Sequence, residues 1–284
     1  MSVTGSGTSS DPYIVHDWSE LLDAFNGVSG NYIELANDIE APDDPVTVNG
    51  DKTISLDGKG FAINNLHHDS SSSAAISMCY YSSSYVGGHR YLKNIKFTNI
   101  YITGGYCIWG LAGGSDHRQF FMENLSFSGR VDSGTLIRGA QSSMYGPWTN
   151  IERIAVNIET GIGNVRIASY EWEDKPNIRN GNIRIKYLNC SPQSALSSWN
   201  WSNTLFDITA ENANTAINLG NNIHNCCVVG KGSGVSYTTA SGKNIVENTL
   251  PVTTIEGKVY SLTTAQMKDA QYLHDTVGFP IGVD

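Results

Sequence analysis

Apolar residues spaced two apart recur in short segments along the middle of the chain. They read Ile95-Lys96-Phe97, Leu125-Ser126-Phe127, Ile154-Ala155-Val156, Ile183-Arg184-Ile185, Phe206-Asp207-Ile208 and Cys226-Cys227-Val228. A period of two marks a strand with one buried face. The first residues of these segments stand 30, 29, 29, 23 and 20 positions apart, Ile245 adds a step of 19, and Phe61-Ala62-Ile63 lies 34 before Ile95. Self-similarity at about 20 to 50 residues belongs to repeat architectures. Gly, Asn and Ser clusters such as Gly104-Gly105 and Gly113-Gly114 fill the intervals, where helical repeats would need long amphipathic stretches.

A second apolar segment follows several of these landmarks, at Tyr101-Ile102, Thr135 to Ile137, Val165 to Ile167 and Ala216 to Leu219. The pattern predicts an all-β chain folded as a single right-handed parallel β-helix, in which stacked coils pool their inward apolar residues into one core. Coils of about 20 to 24 residues are plain, and those near 30 carry loops from one corner. Asn stands just before the strand at Asn94, Asn124, Asn182, Asn225 and Asn244, and Arg153 and Leu205 break the series. Asn accepts left-handed backbone geometry, so these positions are expected at corners, where aligned side chains can stack as an amide ladder.

An open solenoid end exposes a sheet edge and needs a cover. Asp17 followed by Glu20 reads as a helix start, with Trp18, Leu21, Leu22 and Phe25 on one apolar face. The expected organisation is an N-terminal segment with this capping helix over 1–45, the parallel β-helix over 46–250, and a C-terminal cap with a helix over 251–284. The stretch Gly5-Ser6-Gly7-Thr8-Ser9-Ser10-Asp11-Pro12-Tyr13-Ile14-Val15 resembles the opening of many bacterial and phage right-handed parallel β-helix proteins of the pectin-lyase-like kind. Leu262 to Leu273 followed by Gly278-Phe279 is similar to the closing segment of bacterial GLUG-repeat surface proteins, where a Thr-capped helix precedes a Gly-Phe. These resemblances cover the two ends only. They imply a virion or extracellular-surface setting; many phage β-helices are homotrimers, yet this chain shows no coiled-coil heptads to enforce one, so the oligomeric state stays open.

Charge narrows the partners. Charged residues are 16% of the chain, below the roughly 25% of an average soluble domain, and the formal net charge is -9. That balance works against nucleic acid and anionic membranes, whose binding is built from clustered Lys and Arg. No run approaches the ~18 apolar residues of a membrane span, and Met1 to Pro12 has no basic region followed by an apolar run. The expectation is synthesis in the cytoplasm and release by lysis or specialised export. Cys79, Cys107, Cys190, Cys226 and Cys227 show no zinc spacing and read as reduced thiols.

The resemblance also brings enzymes into view, because pectin-cleaving hydrolases, polysaccharide lyases and phage tailspikes share this fold. Hydrolases need paired carboxylates across the glycosidic bond. Asn49-Gly50-Asp51 and Arg184-Ile185-Lys186 match two polygalacturonase motifs by letter, but there is no Gly-His-Gly, and Asp43-Asp44 between Pro42 and Pro45 reads as a turn. The acidic loop containing Glu171, Glu173 and Asp174 is a candidate lyase or Ca2+ site, with a solvated loop as the preferred reading. His89 and His117, each beside an Arg, are candidate acid–base groups. No other cofactor and no metal is expected. Aromatic residues amid Ser, Asn and Gly give the stronger hint: Trp109, Trp148, Trp172, Trp199, Trp201, Tyr81 and Tyr85 are candidate ligand-binding rings. The functional expectation is a structural or adhesive protein of a phage virion or bacterial surface, contacting host glycans or other virion proteins. The alternative is a polysaccharide-degrading hydrolase or lyase.

Overall fold

The computed structural model describes residues 3–26, 32–49, 54–78, 90–109, 120–138, 149–160, 164–169, 177–188, 200–210, 216–217, 222–224, 226–231, 236–237, 243–247, 258–267, 269–272 and 274–275. Among them the chain is mostly strand, with short helices at the two ends. Strands pair in parallel with the preceding and following coil, in one large sheet, a five-stranded sheet and a two-stranded one. This is the pairing pattern of a parallel β-helix. The large sheet runs from Tyr13–Val15 through Tyr32–Leu35 to Lys258–Leu262 at its far end. No helix of the described residues is long and apolar enough to cross a membrane.

Inward residues from successive coils stand in register and fuse into columns. One runs Leu56, Leu92, Met122, Ile151, Ile178 and Trp201, and another Ile63, Phe97, Phe127, Val156, Ile183 and Phe206. All twelve are buried. Neighbouring strands lie about 4.8 Å apart, a distance at which aromatic rings in register can stack. Phe97 and Phe127 do so, with centroids 5.0 Å apart and planes inclined by 14°.

The register corrects the repeat at two steps: Phe206 pairs with Val228 rather than with Cys226, and the step into Ile183 slips as well. Ile183 pairs with Val156, and Ile154 faces Gly181. A Cβ at Gly181 would lie 2.9 Å from Thr204 Cγ2, so the missing side chain makes room for Thr204. The corner residue of that coil is therefore Asn180 rather than Asn182. Asn94, Asn124, Arg153, Asn180 and Asn203 all take left-handed φ, between 49° and 57°, and the pairings place them in one column. Arg153 does not break the series geometrically: it adopts the same φ and donates to Glu123 of the coil before.

The expected amide ladder exists in the earlier coils. Asn124 Nδ2 donates to Asn94 Oδ1 at 3.1 Å, and Asn94 Nδ2 donates to Asp57 Oδ1 at 3.1 Å. A second corner repeats the device: Asn99 Nδ2 donates to Asn65 Oδ1 at 2.5 Å, and Asn65 Nδ2 to Glu40 Oε2 at 2.7 Å. Each ladder thus ends on a carboxylate, which accepts a stronger, charge-assisted bond.

The N-terminal end is covered by a packed helix. The Gly-rich opening folds back so that Ile14 N–H donates to the Thr4 carbonyl at 3.0 Å, and Ser6 N–H donates to Asp11 Oδ2 at 2.9 Å. Gly7, at φ 69°, must be glycine because a Cβ there would fall 2.4 Å from the Tyr13 ring. Asp17 caps the helix Trp18–Phe25 by accepting from Glu20 N–H at 2.9 Å, and Leu21, Ala24 and Phe25 are buried. Glu20 reaches back to His16 N–H at 2.7 Å, one residue earlier than a regular capping box. At the other end Thr263 Oγ1 accepts from Gln266 N–H at 3.3 Å while Gln266 Oε1 accepts from Thr263 N–H at 2.9 Å. The single C-terminal helix expected there is two short ones, Thr264–Met267 and Ala270–Tyr272. Asp269 starts the second by accepting from Tyr272 N–H at 2.9 Å.

Cys107 is fully buried and free, and burial pushes its thiol up, away from the reactive thiolate. At pH 8 this cysteine is expected to resist iodoacetamide in the native protein and to react once the chain is unfolded in urea. Peptide mass spectrometry of both samples reads this directly; rapid native labelling of Cys107 would contradict its place in the core.

Candidate functional site

The five-stranded sheet contains Val48–Asn49, Ala74–Ser77, Tyr106–Trp109, Ser133–Arg138 and Asn164–Ser169. The turns that feed three of these strands pile on one another, and glycine permits the pile. Gly105, at φ 63°, would place a Cβ 2.2 Å from the Ser70 carbonyl oxygen, and Gly134, at φ 111°, would place one 2.5 Å from that of Gly105. Main chain therefore lies against main chain, tied by Tyr106 N–H to the Ser73 carbonyl and Thr135 N–H to the Gly105 carbonyl, both at 3.0 Å.

Over this corner opens a cleft of about 510 Å³, with Asp69, Ser71, Thr103, Tyr106, Thr135 and Arg166 among its lining residues. Tyr106, Thr135 and Arg166 are register partners on three successive coils, so the cleft runs along the solenoid axis. Ser133 adds a further hydroxyl. Among the described residues that line it, Asp69 is the one carboxylate and Arg166 the one cation. The wall carrying Asp69 and Ser71 is held by the buried His68, whose Nδ1 lies 2.7 Å from the Val46 carbonyl oxygen and Nε2 3.1 Å from that of Ser73.

At the far end of the same strands, the Arg138 guanidinium lies 4.6 Å from the Tyr106 ring centroid and 4.3 Å from that of Trp109. Burial pulls the pKa of Arg138 below its ordinary value, partly opposed by Tyr106. The half-buried Trp109 is thus placed close to the cleft, with a cation on its ring.

Residues 13–131 match the family described as "Putative pectate lyase-like adhesive domain". The matched span includes Asp69, Ser71, Thr103 and Tyr106 and stops short of Thr135 and Arg166. Among solved structures, a protein of Bacteroides ovatus described as a "putative immunoglobulin A1 protease" aligns over 92% of this chain and 81% of its own, at 17% identity and a TM-score of 0.46. No curated protein matches the sequence.

Of the rings expected to bind ligand, Trp201 is corrected. It is 1% exposed and packs edge-on against Phe206 with centroids 5.1 Å apart, because Asn200–Ser202 is a strand whose central residue falls in the Leu56 to Ile178 core column. Trp148, Trp172, Trp199, Tyr81 and Tyr85 lie outside the described residues, as do Glu171, Glu173, Asp174, His89 and His117. Among the described residues no group of three or more His, Cys, Asp or Glu is placed to hold a metal. The Arg-x-Lys letters are two outer ion pairs, Arg184 Nε to Asp207 Oδ2 at 3.1 Å and Lys186 Nζ to Glu159 Oε1 at 3.6 Å. Asp43 and Asp44 sit in an exposed bend.

Ser71 and Tyr106 fall in the loops 70–88 and 106–118 that the sequence offered as binding loops, whereas sequence reasoning missed Asp69, Thr135 and Arg166 as site residues. The signal was present in Gly104-Gly105 and Ser133-Gly134, two glycine corners each followed by a strand start. Aligning them would have stacked Tyr106 on Thr135.

Proposed function

We propose that this chain is a structural or adhesive protein of a bacterial surface or phage particle, and that the cleft over the Gly105–Gly134 corner binds a host glycan. The observation that carries the reading is the cleft's lining of hydroxyls beside a tyrosine ring, with a single carboxylate among the described residues. Sugars are held by such bidirectional donors and acceptors on a rigid scaffold. The family match to an adhesive domain and the GLUG-like closing segment favour the same setting. We take the winding as right-handed, the hand of nearly all crossover connections between parallel strands of one sheet.

The test is a glycan array probed with purified protein, followed by titration of any hit against Tyr106→Ala and Trp109→Ala variants whose fold is verified by circular dichroism. Tyr106→Ala is expected to weaken binding about tenfold or more, by the 1.4 kcal/mol that one aromatic contact can supply. Full affinity in Tyr106→Ala would move the site elsewhere. No binding to any glycan would count against the reading as a whole.

A further inference from the structure

The cleft carries its charges at opposite ends. Register fixes the order along the axis: the Asp69 turn precedes Ala74–Ser77, then come Tyr106, Thr135 and Arg166 on consecutive coils. Three coil steps of ~4.8 Å make a path of about 14 Å from the first of these coils to the last. Between the ends the described lining side chains are uncharged, namely Ser71, Thr103, Tyr106, Ser133 and Thr135.

Among the described residues neither end charge is spent in an ion pair. Arg130, Arg153 and Arg184 on the outer surface each meet a carboxylate, from Asp132, Glu123 and Asp207 respectively. Arg166 and Asp69 are both exposed, and among the described residues neither enters an ion pair. A guanidinium without a partner, at the end of a row of hydroxyls, is a receptor for a carboxylate, which it can grip with two parallel bonds. An unpaired carboxylate at the other end accepts from sugar hydroxyls and repels an anion.

We propose that the cleft selects an oligosaccharide that is neutral along most of its length and bears one acidic sugar at the end facing Arg166. The inference rests on the reading of the cleft as a glycan site. It predicts rejection of uniformly acidic chains, because a carboxylate on every sugar sets one against Asp69 in a protein whose net charge is already -9. Selectivity then comes from attraction at one end and repulsion at the other, and neither alone would separate the three classes of ligand.

The experiment uses an array of cello-, chito- and lacto-oligosaccharides of three or four sugars. Each is present as the neutral chain and with a single glucuronate or sialate at either terminus, and tetragalacturonate is included beside them. Singly acidic chains are expected to bind about tenfold tighter than their neutral parents, the 1.4 kcal/mol or so that one charge-assisted contact can supply. Arg166→Gln should erase that difference and leave the neutral chains as they were. Asp69→Asn should raise binding of tetragalacturonate. Both side chains are exposed, so the variants retain the fold, which circular dichroism verifies. Equal affinity for neutral and singly acidic chains, a preference that survives Arg166→Gln, or tightest binding of tetragalacturonate overturns this inference and leaves the glycan site standing. Silence across the whole array overturns the glycan site and this inference with it.

Discussion

Trp201→Ala is expected to destabilise the protein by about 3–5 kcal/mol while leaving the glycan affinity of the folded fraction unchanged. The indole is 1% exposed, continues the column of buried apolar residues that runs from Leu56 to Ile178, and meets Phe206 edge to face. Truncation removes both its transfer energy and its neighbours' contacts, and the main chain around it is pinned in register to Ile178 on one side and Ile223 on the other. The site therefore has little freedom to collapse. Trp201→Phe keeps most of the volume and should cost less than half as much. Urea unfolding followed by far-ultraviolet circular dichroism measures both. Trp109→Ala supplies the contrast: its ring is half-buried beneath Arg138, so its loss should cost less stability. A small loss for Trp201→Ala together with lost glycan binding would mean that the ring faces ligand.

How far the sequence announced this arrangement varies with the kind of interaction. Period-two alternation and coil spacing made the landmark strands legible, because inward residues must be apolar wherever a coil stacks. Phe97, Phe127 and Phe206 are all where that pattern places them. The corner asparagines Asn94 and Asn124 were legible because few residues tolerate a left-handed φ, whereas Asn244 stands inside the strand Lys243–Glu247 opposite Cys226 and Asn225 lies outside the described residues. The slip from Asn182 to Asn180 has a definite cause: strand Asn177–Tyr187 carries apolar residues at Ile178, Ile183 and Ile185, and Gly181 occupies an inward position without announcing itself. Trp201 was misread by the opposite error. Its polar neighbours suggested a loop, yet in a three-residue strand with one inward position the flanking Asn and Ser simply face out. The cleft was the least legible part. Its residues lie on four coils, far apart in sequence, and they converge only because two glycine corners stack.

Asp57→Ala is expected to cost about 2–4 kcal/mol, far more than its place on a strand end suggests. The carboxylate is 6% exposed. Its Oδ1 accepts from Lys59 N–H at 2.9 Å and from Asn94 Nδ2 at 3.1 Å, and its Oδ2 lies 3.3 Å from Lys93 Nζ. It is therefore the terminus on which the Asn124–Asn94 ladder rests, and it also closes the Gly58-Lys59-Gly60 corner beneath. Alanine would take the acceptor from the part-buried Lys59 N–H and Asn94 amide, while the Lys93 ammonium, 32% exposed, can turn to water; Asp57→Asn keeps one acceptor and should cost roughly half as much. The measure of this idea is a comparison with Asp207→Ala. That carboxylate also meets a cation, Arg184, but with 28% and 60% of the two side chains exposed, its ion pair is worth about 1 kcal/mol or less. If urea unfolding shows Asp57→Ala to be no more damaging than Asp207→Ala, the ladder ends in solvent rather than on a structural carboxylate, and the asparagine column holds the coils together through backbone conformation alone.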